Sequence, residues 1–222
     1  MNPKIKAVIF DLDGTLLNTL GDLHASVNAA LTEFGYPTHT KENIRRFVGD
    51  GVAMLIERAI PCGRENRSFD ACLEYFKCHY AAHMYDHTAA YGGIHEALAI
   101  LKEKGYLIAV VSNKFDAAVK ELCKRYFEGL IDVAIGECEA LSIKKKPAPD
   151  TVLAALKAMG ITNEEAVYVG DSEVDIKTAE NCNMDCITVT WGFREKEYLK
   201  AHGAYIFAED TAALLCEIEK LG

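Results

Sequence analysis

The sequence predicts an α/β protein, a doubly wound parallel sheet into which an all-helical segment is inserted. Three observations point there. Lys4-Ile5-Lys6-Ala7-Val8-Ile9-Phe10 ends in an almost unbroken apolar run, the pattern of a strand covered on both faces. From Tyr91 onward, apolar runs of strand length alternate with stretches of helical period, and strands separated by helices imply parallel pairing through right-handed crossovers. Between these, the chain lacks strand character. The predicted organisation is therefore a core of residues 1–16 and 89–222 with an insertion of residues 17–88.

Within the insertion, Thr19-Leu20-Gly21-Asp22 opens a helix whose apolar face is Leu23, Val27, Ala30, Leu31 and Phe34, with Gly35 as its stop. A shorter helix covers Val52 to Ala59. Phe69, Cys72, Leu73, Phe76, Tyr80 and Met84 repeat the helical period. In the core, helices are predicted over Ile94–Lys104, Asp116–Arg125, Asp150–Met159 and Glu173–Cys182. The strands between them are Leu107–Val111, Val133–Gly136, Ala166–Val169, Cys186–Thr190 and Tyr205–Phe207. An amphipathic helix through Leu214, Leu215 and Ile218 closes the order.

The 222 residues, 50% of them hydrophobic, suffice for one large domain or a domain plus an insertion. No window reaches the apolar length of a membrane span and no charged-then-apolar leader opens the chain, so a soluble cytoplasmic protein is expected. A net charge of -9 without a basic stripe argues against nucleic acid or an anionic membrane as partner. The eight cysteines form no Cys-x-x-Cys pair, and most are expected to be reduced residues of the core.

Four strand ends carry polar residues. Asp11-Leu12-Asp13-Gly14-Thr15 directly follows the first strand, and ligands of open parallel sheets gather at such carboxyl ends. Two adjacent carboxylates repel, and burying them costs several kcal/mol unless a cation is present. A hard divalent ion with oxygen ligands, Mg2+, is the natural partner, and Gly14 permits close backbone approach to an anion or metal. Asp-Gly is also an ordinary turn pair. Ser112-Asn113-Lys114 ends the second core strand with a hydroxyl and N–H groups suited to phosphate oxygens, although Ser-Asn is equally a common helix cap. Lys146-Pro147 closes a basic run, Lys144-Lys145-Lys146, that by itself reads as a solvated loop. Gly170-Asp171-Ser172-Glu173-Val174-Asp175 supplies further carboxylates, Asp171 being either a metal ligand or a cap of the next helix.

Taken together and in this order, the four motifs resemble those of the haloacid dehalogenase-like hydrolase superfamily, over nearly the whole chain. The resemblance implies a Rossmann-like core with an inserted α-helical cap. Arg45-Arg46-Phe47-Val48-Gly49-Asp50-Gly51 and Val189-Thr190-Trp191-Gly192-Phe193-Arg194 further resemble the phosphoglycolate phosphatase group, while Asn18 and Tyr91-Gly92-Gly93 depart from its pattern. What this implies is a Mg2+-dependent phosphatase of a small phosphorylated metabolite, with phosphoglycolate the first expectation.

By the same resemblance, Asp11 is the nucleophile that forms an aspartyl-phosphate, and Asp13 the acid–base group. Mg2+ is held by Asp11, the backbone carbonyl of Asp13, and Asp171. Lys146, Ser112, Asn113 and Gly14 contact the phosphoryl group, and Asp175 orients a water or Lys146. In the cap, Gly49 and Gly51 allow a loop to come close to the phosphate, and Arg45 meets a substrate carboxylate; alternatively, Arg45 and Arg46 form an exposed helix face. A sugar-phosphate mutase, a pyrophosphatase or a nucleotidase on the same fold are the alternatives, and a non-enzymatic receiver-like module is disfavoured by Asp13 and the large insertion. Monomer and homodimer both remain open.

Overall fold

The computed structural model describes residues 5–138 and 143–222; Lys4, where the first strand was expected to begin, lies outside them. Two compact units emerge, residues 1–17 with 90–222 and residues 18–89. The first carries a six-stranded sheet of order β5-β4-β1-β6-β7-β8. Its strands are β1 (Ala7–Phe10), β4 (Leu107–Phe115), β5 (Val133–Glu137), β6 (Ala166–Gly170), β7 (Cys186–Val189) and β8 (Ile206–Ala208), and every pairing is parallel.

β1 lies inside the sheet and is wholly buried, which is why Ala7-Val8-Ile9-Phe10 alternates nothing and is apolar throughout. Its register aligns Phe10 with Val110 of β4 and with Val169 of β6. Asp11 and Asp171 therefore leave their strands along one rim, beside Ser112 of β4. The strand order also reverses here: β4 and β5 lie to one side of β1, and β6 to β8 to the other. A crevice at the carboxyl ends of the strands is expected at such a switch point.

The core helices are α5 (Ile94–Glu103), α6 (Asp116–Phe127), α7 (Asp150–Met159), α8 (Glu173–Asn181), α9 (Lys196–Ala201) and α10 (Thr211–Leu221). One core cluster joins Ala7, Ile9, Val111 and Tyr168 of the sheet to Val152, Leu156 and Ile176 of α7 and α8. Two differences from the sequence reading matter. β4 runs on to Phe115, with a register irregularity between Val111 and Phe115, so Ser112, Asn113 and Lys114 belong to the strand rather than to a loop beyond it. And α9 went unread, because six residues with a single fully buried apolar position, Leu199, carry little periodicity.

In the second unit stand α1 (Leu20–Glu33), α2 (Lys41–Phe47), α3 (Val52–Ala59) and α4 (Phe69–His83). Two-residue strands, β2 (Leu17–Asn18) and β3 (Ala89–Ala90), pair at the chain's exit from and return to the core. α2 was also unread; the Thr40 side chain caps it by accepting the Asn43 N–H. Leu23, Val27, Ala30 and Leu31 of α1 and Phe76 and Tyr80 of α4 are buried. Asp22, in the first turn of α1, is buried too, and its carboxylate accepts four hydrogen bonds. The donors are the Thr88 N–H and hydroxyl, at 2.9 and 2.7 Å, and the His87 N–H and Nδ1, both at 2.8 Å.

Cysteine placement departs from expectation. All eight are free, but only Cys72, Cys123, Cys182 and Cys186 are buried, and Cys62, Cys78 and Cys216 are exposed. Cys78 and Cys216 fall on the outer faces of α4 and α10, and Cys62 in a left-handed turn at φ 63°.

Candidate active site

Asp11 follows β1 directly, its N–H bonded to the Val169 carbonyl at 2.9 Å, so the sheet ladder itself fixes where its side chain starts. One carboxylate oxygen lies 2.8 Å from Lys146 Nζ. That ammonium also donates to Asp175 Oδ1 at 2.8 Å and to the Tyr168 hydroxyl at 3.0 Å. Tyr168 in turn donates to Asp175 Oδ1 at 3.1 Å. The other oxygen of Asp175 accepts the Ser172 hydroxyl and N–H at 2.6 and 3.1 Å, in a box that also starts α8. One oxygen of Asp175 thus holds Lys146 and Tyr168, and the other is fixed by Ser172.

Asn113 works toward the same end. Its Nδ2 donates to the Lys146 carbonyl at 2.9 Å and its Oδ1 accepts the Lys146 N–H at 2.7 Å. The side chain expected to face a phosphate is committed to the lysine's backbone. Ser112 is buried, and its Oγ accepts the Lys114 N–H at 3.2 Å. Lys114, to which the sequence reading gave no role, places its ammonium 3.1 Å from Asp13 Oδ2, with the side chain 2% exposed.

Asp171 leaves β6 and is held from both sides. Thr15 donates its hydroxyl to Oδ1 at 3.1 Å, and the Phe193 N–H donates to Oδ2 at 2.7 Å. The close fit requires glycine: a Cβ on Gly14, whose φ is +91°, would stand 2.4 Å from Asp171 Oδ2, and one on Gly192 would stand 2.3 Å from its Cβ. The Trp191 indole N–H donates to the Thr15 carbonyl at 3.0 Å, and Arg194 forks onto Glu173 at 2.8 and 3.2 Å. These contacts explain the Trp-Gly-Phe-Arg run, whose residues the sequence marked without assigning them work.

Oxygens of Asp11, Asp171 and Asp175 lie within 4.8 Å of one another, all buried. Burial, and then the Asp175 charge, push the Asp11 carboxyl well above its usual range, with Lys146 opposing. Burial and Asp175 likewise push Asp171 up to about 7 against its two hydrogen bonds. For Lys146, burial pulls the ammonium down but Asp11 and Asp175 overcome it, so the lysine stays charged. Lys146 thus answers Asp11 and Asp175, while Asp171, among the described residues, has only the charge of Arg194, itself forked onto Glu173, to offset its own. A hard cation with oxygen ligands relieves that imbalance, and the donor set suits Mg2+.

Arg45, Gly49 and Gly51 belong to the helical unit. Arg45 and Arg46 both pair with Glu42, at 3.6 and 3.5 Å, yet their side chains are 24% and 72% exposed. They do not share one exposed face: Arg46 alone is the solvated residue. Gly49 and Gly51 adopt φ of +134° and +86°, and Gly51 precedes α3.

The model of the haloacid dehalogenase-like hydrolases matches residues 8–189. A phosphoglycolate phosphatase of Mannheimia succiniciproducens is 33% identical, covering 97% of this chain and 99% of its own. One of Cereibacter sphaeroides is 35% identical, covering 94% and 96%. A crystal structure from Lactobacillus delbrueckii subsp. bulgaricus, provisionally named a phosphoglycolate phosphatase, superposes with a TM-score of 0.91 at 37% identity, covering 97% of this chain and 98% of that one.

Proposed function

The chain belongs to the haloacid dehalogenase-like hydrolases, and we propose that within them it is a phosphatase of small phosphorylated metabolites, phosphoglycolate first among them. The observation that carries this reading is Asp11, a buried carboxylate at the end of β1 whose position is set by Lys146 and whose neighbours are two further carboxylates. Relatives at 33% and 35% identity named phosphoglycolate phosphatases support the substrate.

In the reaction, an Asp11 oxygen attacks phosphorus in line while the bond to the leaving oxygen breaks, giving an aspartyl-phosphate. Asp13 gives its proton to the departing alkoxide. It then takes one from the water that attacks the aspartyl-phosphate, which releases inorganic phosphate and restores Asp11. Lys146 stays protonated throughout, held by Asp175 and Tyr168, and offers its charge to the phosphoryl oxygens along with the Ser112 hydroxyl; the Gly14 N–H, expected to join them, donates instead to the Leu17 carbonyl at 2.9 Å. Asp11, Asp171 and the backbone carbonyl of Asp13 would hold Mg2+, which when bound offsets the repulsion between an anionic nucleophile and an anionic phosphate. Arg45 is the residue proposed to meet the substrate's carboxylate, because a planar guanidinium suits bidentate pairing.

The test is a screen of phosphoglycolate, pyrophosphate, sugar phosphates and nucleotides with Mg2+ and with chelator. Phosphoglycolate hydrolysed best and only with the metal supports the reading. Preferred transfer from a sugar bisphosphate to a sugar monophosphate, or inertness toward the whole set, refutes it.

A further inference from the structure

The site holds two buried lysines, and the mechanism above uses only one. Lys146 is claimed by Asp11, Asp175 and Tyr168. Lys114 is equally buried and turns to the other member of the Asp-x-Asp pair, Asp13, at 3.1 Å. Its direction has a local cause. The irregularity in β4 between Val111 and Phe115 is of the kind that re-aims side chains beside active sites, and the Lys114 N–H is tied to Ser112 Oγ.

An ion pair at this depth adds little to stability, since apolar replacements of such pairs are often neutral or better. What a buried pair does supply is direction. A buried ammonium 3.1 Å from Oδ2 favours the side-chain orientation of Asp13 that keeps this contact.

We propose that Lys114 is a positioning residue for Asp13: by holding Oδ2, it fixes the orientation in which Asp13 hands a proton to the leaving group. This rests on the phosphatase reading and adds to it the division of labour between the lysines. Lys146 serves the nucleophile and Lys114 serves the acid–base group. As the leaving P–O bond breaks, the proton passes from Asp13 to the alkoxide oxygen, and the carboxylate left behind keeps its partner and its aim for the water that follows.

The experiment compares wild type, Lys114→Met, Lys114→Arg, Asp13→Asn and Lys114→Met/Asp13→Asn on phosphoglycolate, which has a poor alkoxide leaving group, and on p-nitrophenyl phosphate, which needs no proton. Lys114→Met should lower kcat on phosphoglycolate roughly 10- to 100-fold, a part of the 10^2 to 10^4 that acid–base assistance provides. The aryl ester should fall far less, and KM should change little for both. Lys114→Arg, which keeps a cation, should recover much of the loss. The double variant should be no slower than Asp13→Asn, because residues acting as a unit are not additive.

A rise in KM for phosphoglycolate with kcat retained would show that Lys114 contacts the substrate and overturn the proposal. Equal losses on both esters, or additive losses in the double variant, overturn it as well. Thermal melts of each variant separate misfolding from misorientation, and should Lys114→Met fail to fold, Lys114→Gln carries the same comparison. If wild type hydrolyses neither ester with Mg2+, it is the phosphatase reading that has failed, and this assignment falls with it. If wild type is active and Asp13→Asn selective but Lys114→Met is not, only the assignment falls.

Discussion

Asp22 in the helical unit and Asp11 in the α/β unit are both buried carboxylates, 1% and 8% exposed, but their surroundings are opposite. Asp22 meets two backbone N–H groups, a hydroxyl and an imidazole. Its charge is spread over four donors, and it ties the start of α1 to the segment that returns toward β3. Asp11 meets one ammonium, and its other near neighbours include Asp171 and Asp175. Burial alone therefore does not mark a catalytic carboxylate. The mark is burial without enough compensation, because the deficit is what a metal and a phosphoryl group fill.

The comparison is broken most severely by exchanging effects between the two residues. Asp11→Asn should lower turnover by about 10^4-fold or more, since one side chain serves as nucleophile and as metal ligand. Its chemical denaturation midpoint should hold near wild type. Hydrolysis near the wild-type rate would remove Asp11 from its role.

Asp22→Ala should do the reverse and cost roughly 2 to 4 kcal/mol of stability by stranding buried donors. Urea unfolding measures it, and a midpoint unchanged from wild type would show that these four bonds are dispensable.

A third experiment sharpens the question of where specificity lies. Arg45→Ala should weaken phosphoglycolate turnover relative to p-nitrophenyl phosphate by about tenfold to a hundredfold, the worth of one charge-assisted pair. Parallel losses on the two esters, or none, would mean that Arg45 only pairs with Glu42 and that another residue reads the carboxylate.

The smallest effect concerns pH. The folded state holds Asp171 up at about 7, above its ordinary 3.8, so the native protein binds the extra proton. Without metal, stability should then fall as pH rises from about 4 through 7, where the buried charge forms. Mg2+ should raise the melting temperature more at pH 8 than at pH 5, because its ligands must be ionised. Scanning fluorimetry with Mg2+ and with chelator reads both, and a metal-induced shift that is larger at pH 5 would contradict the ligand set.

The fold was largely legible because its signals are local. The apolar run before Asp11, the helix-stop glycines and the alternation after Tyr91 each act over a few residues, and α3, α7 and the sheet strands fall close to where those patterns put them. The acidic strand ends were legible for the same reason. What stayed hidden were the partners, since a contact between Lys114 and Asp13 depends on β4 lying beside β1 and on an irregularity that no periodicity announces. Tyr168 looked like one more apolar strand residue, and only the fold reveals that its hydroxyl meets Lys146. Asn113 was placed at the right strand end, but its work is done on the lysine's backbone.

The bonds that hold Asp171 have a consequence for biosynthesis. Thr15 and Phe193 grip one carboxylate from opposite ends of the chain, so a nascent chain emerging from the ribosome cannot complete the cluster until residue 193 is exposed. At about 5 to 20 residues per second, that is roughly 10 to 40 s after Asp11 appears. Until residues 166–170 have emerged, β1 can pair with β4 but lacks β6 on its other side. The order of emergence also favours assembly: Lys146 leaves the ribosome ahead of Asp171 and Asp175, so the cation is in place before the last two like charges arrive.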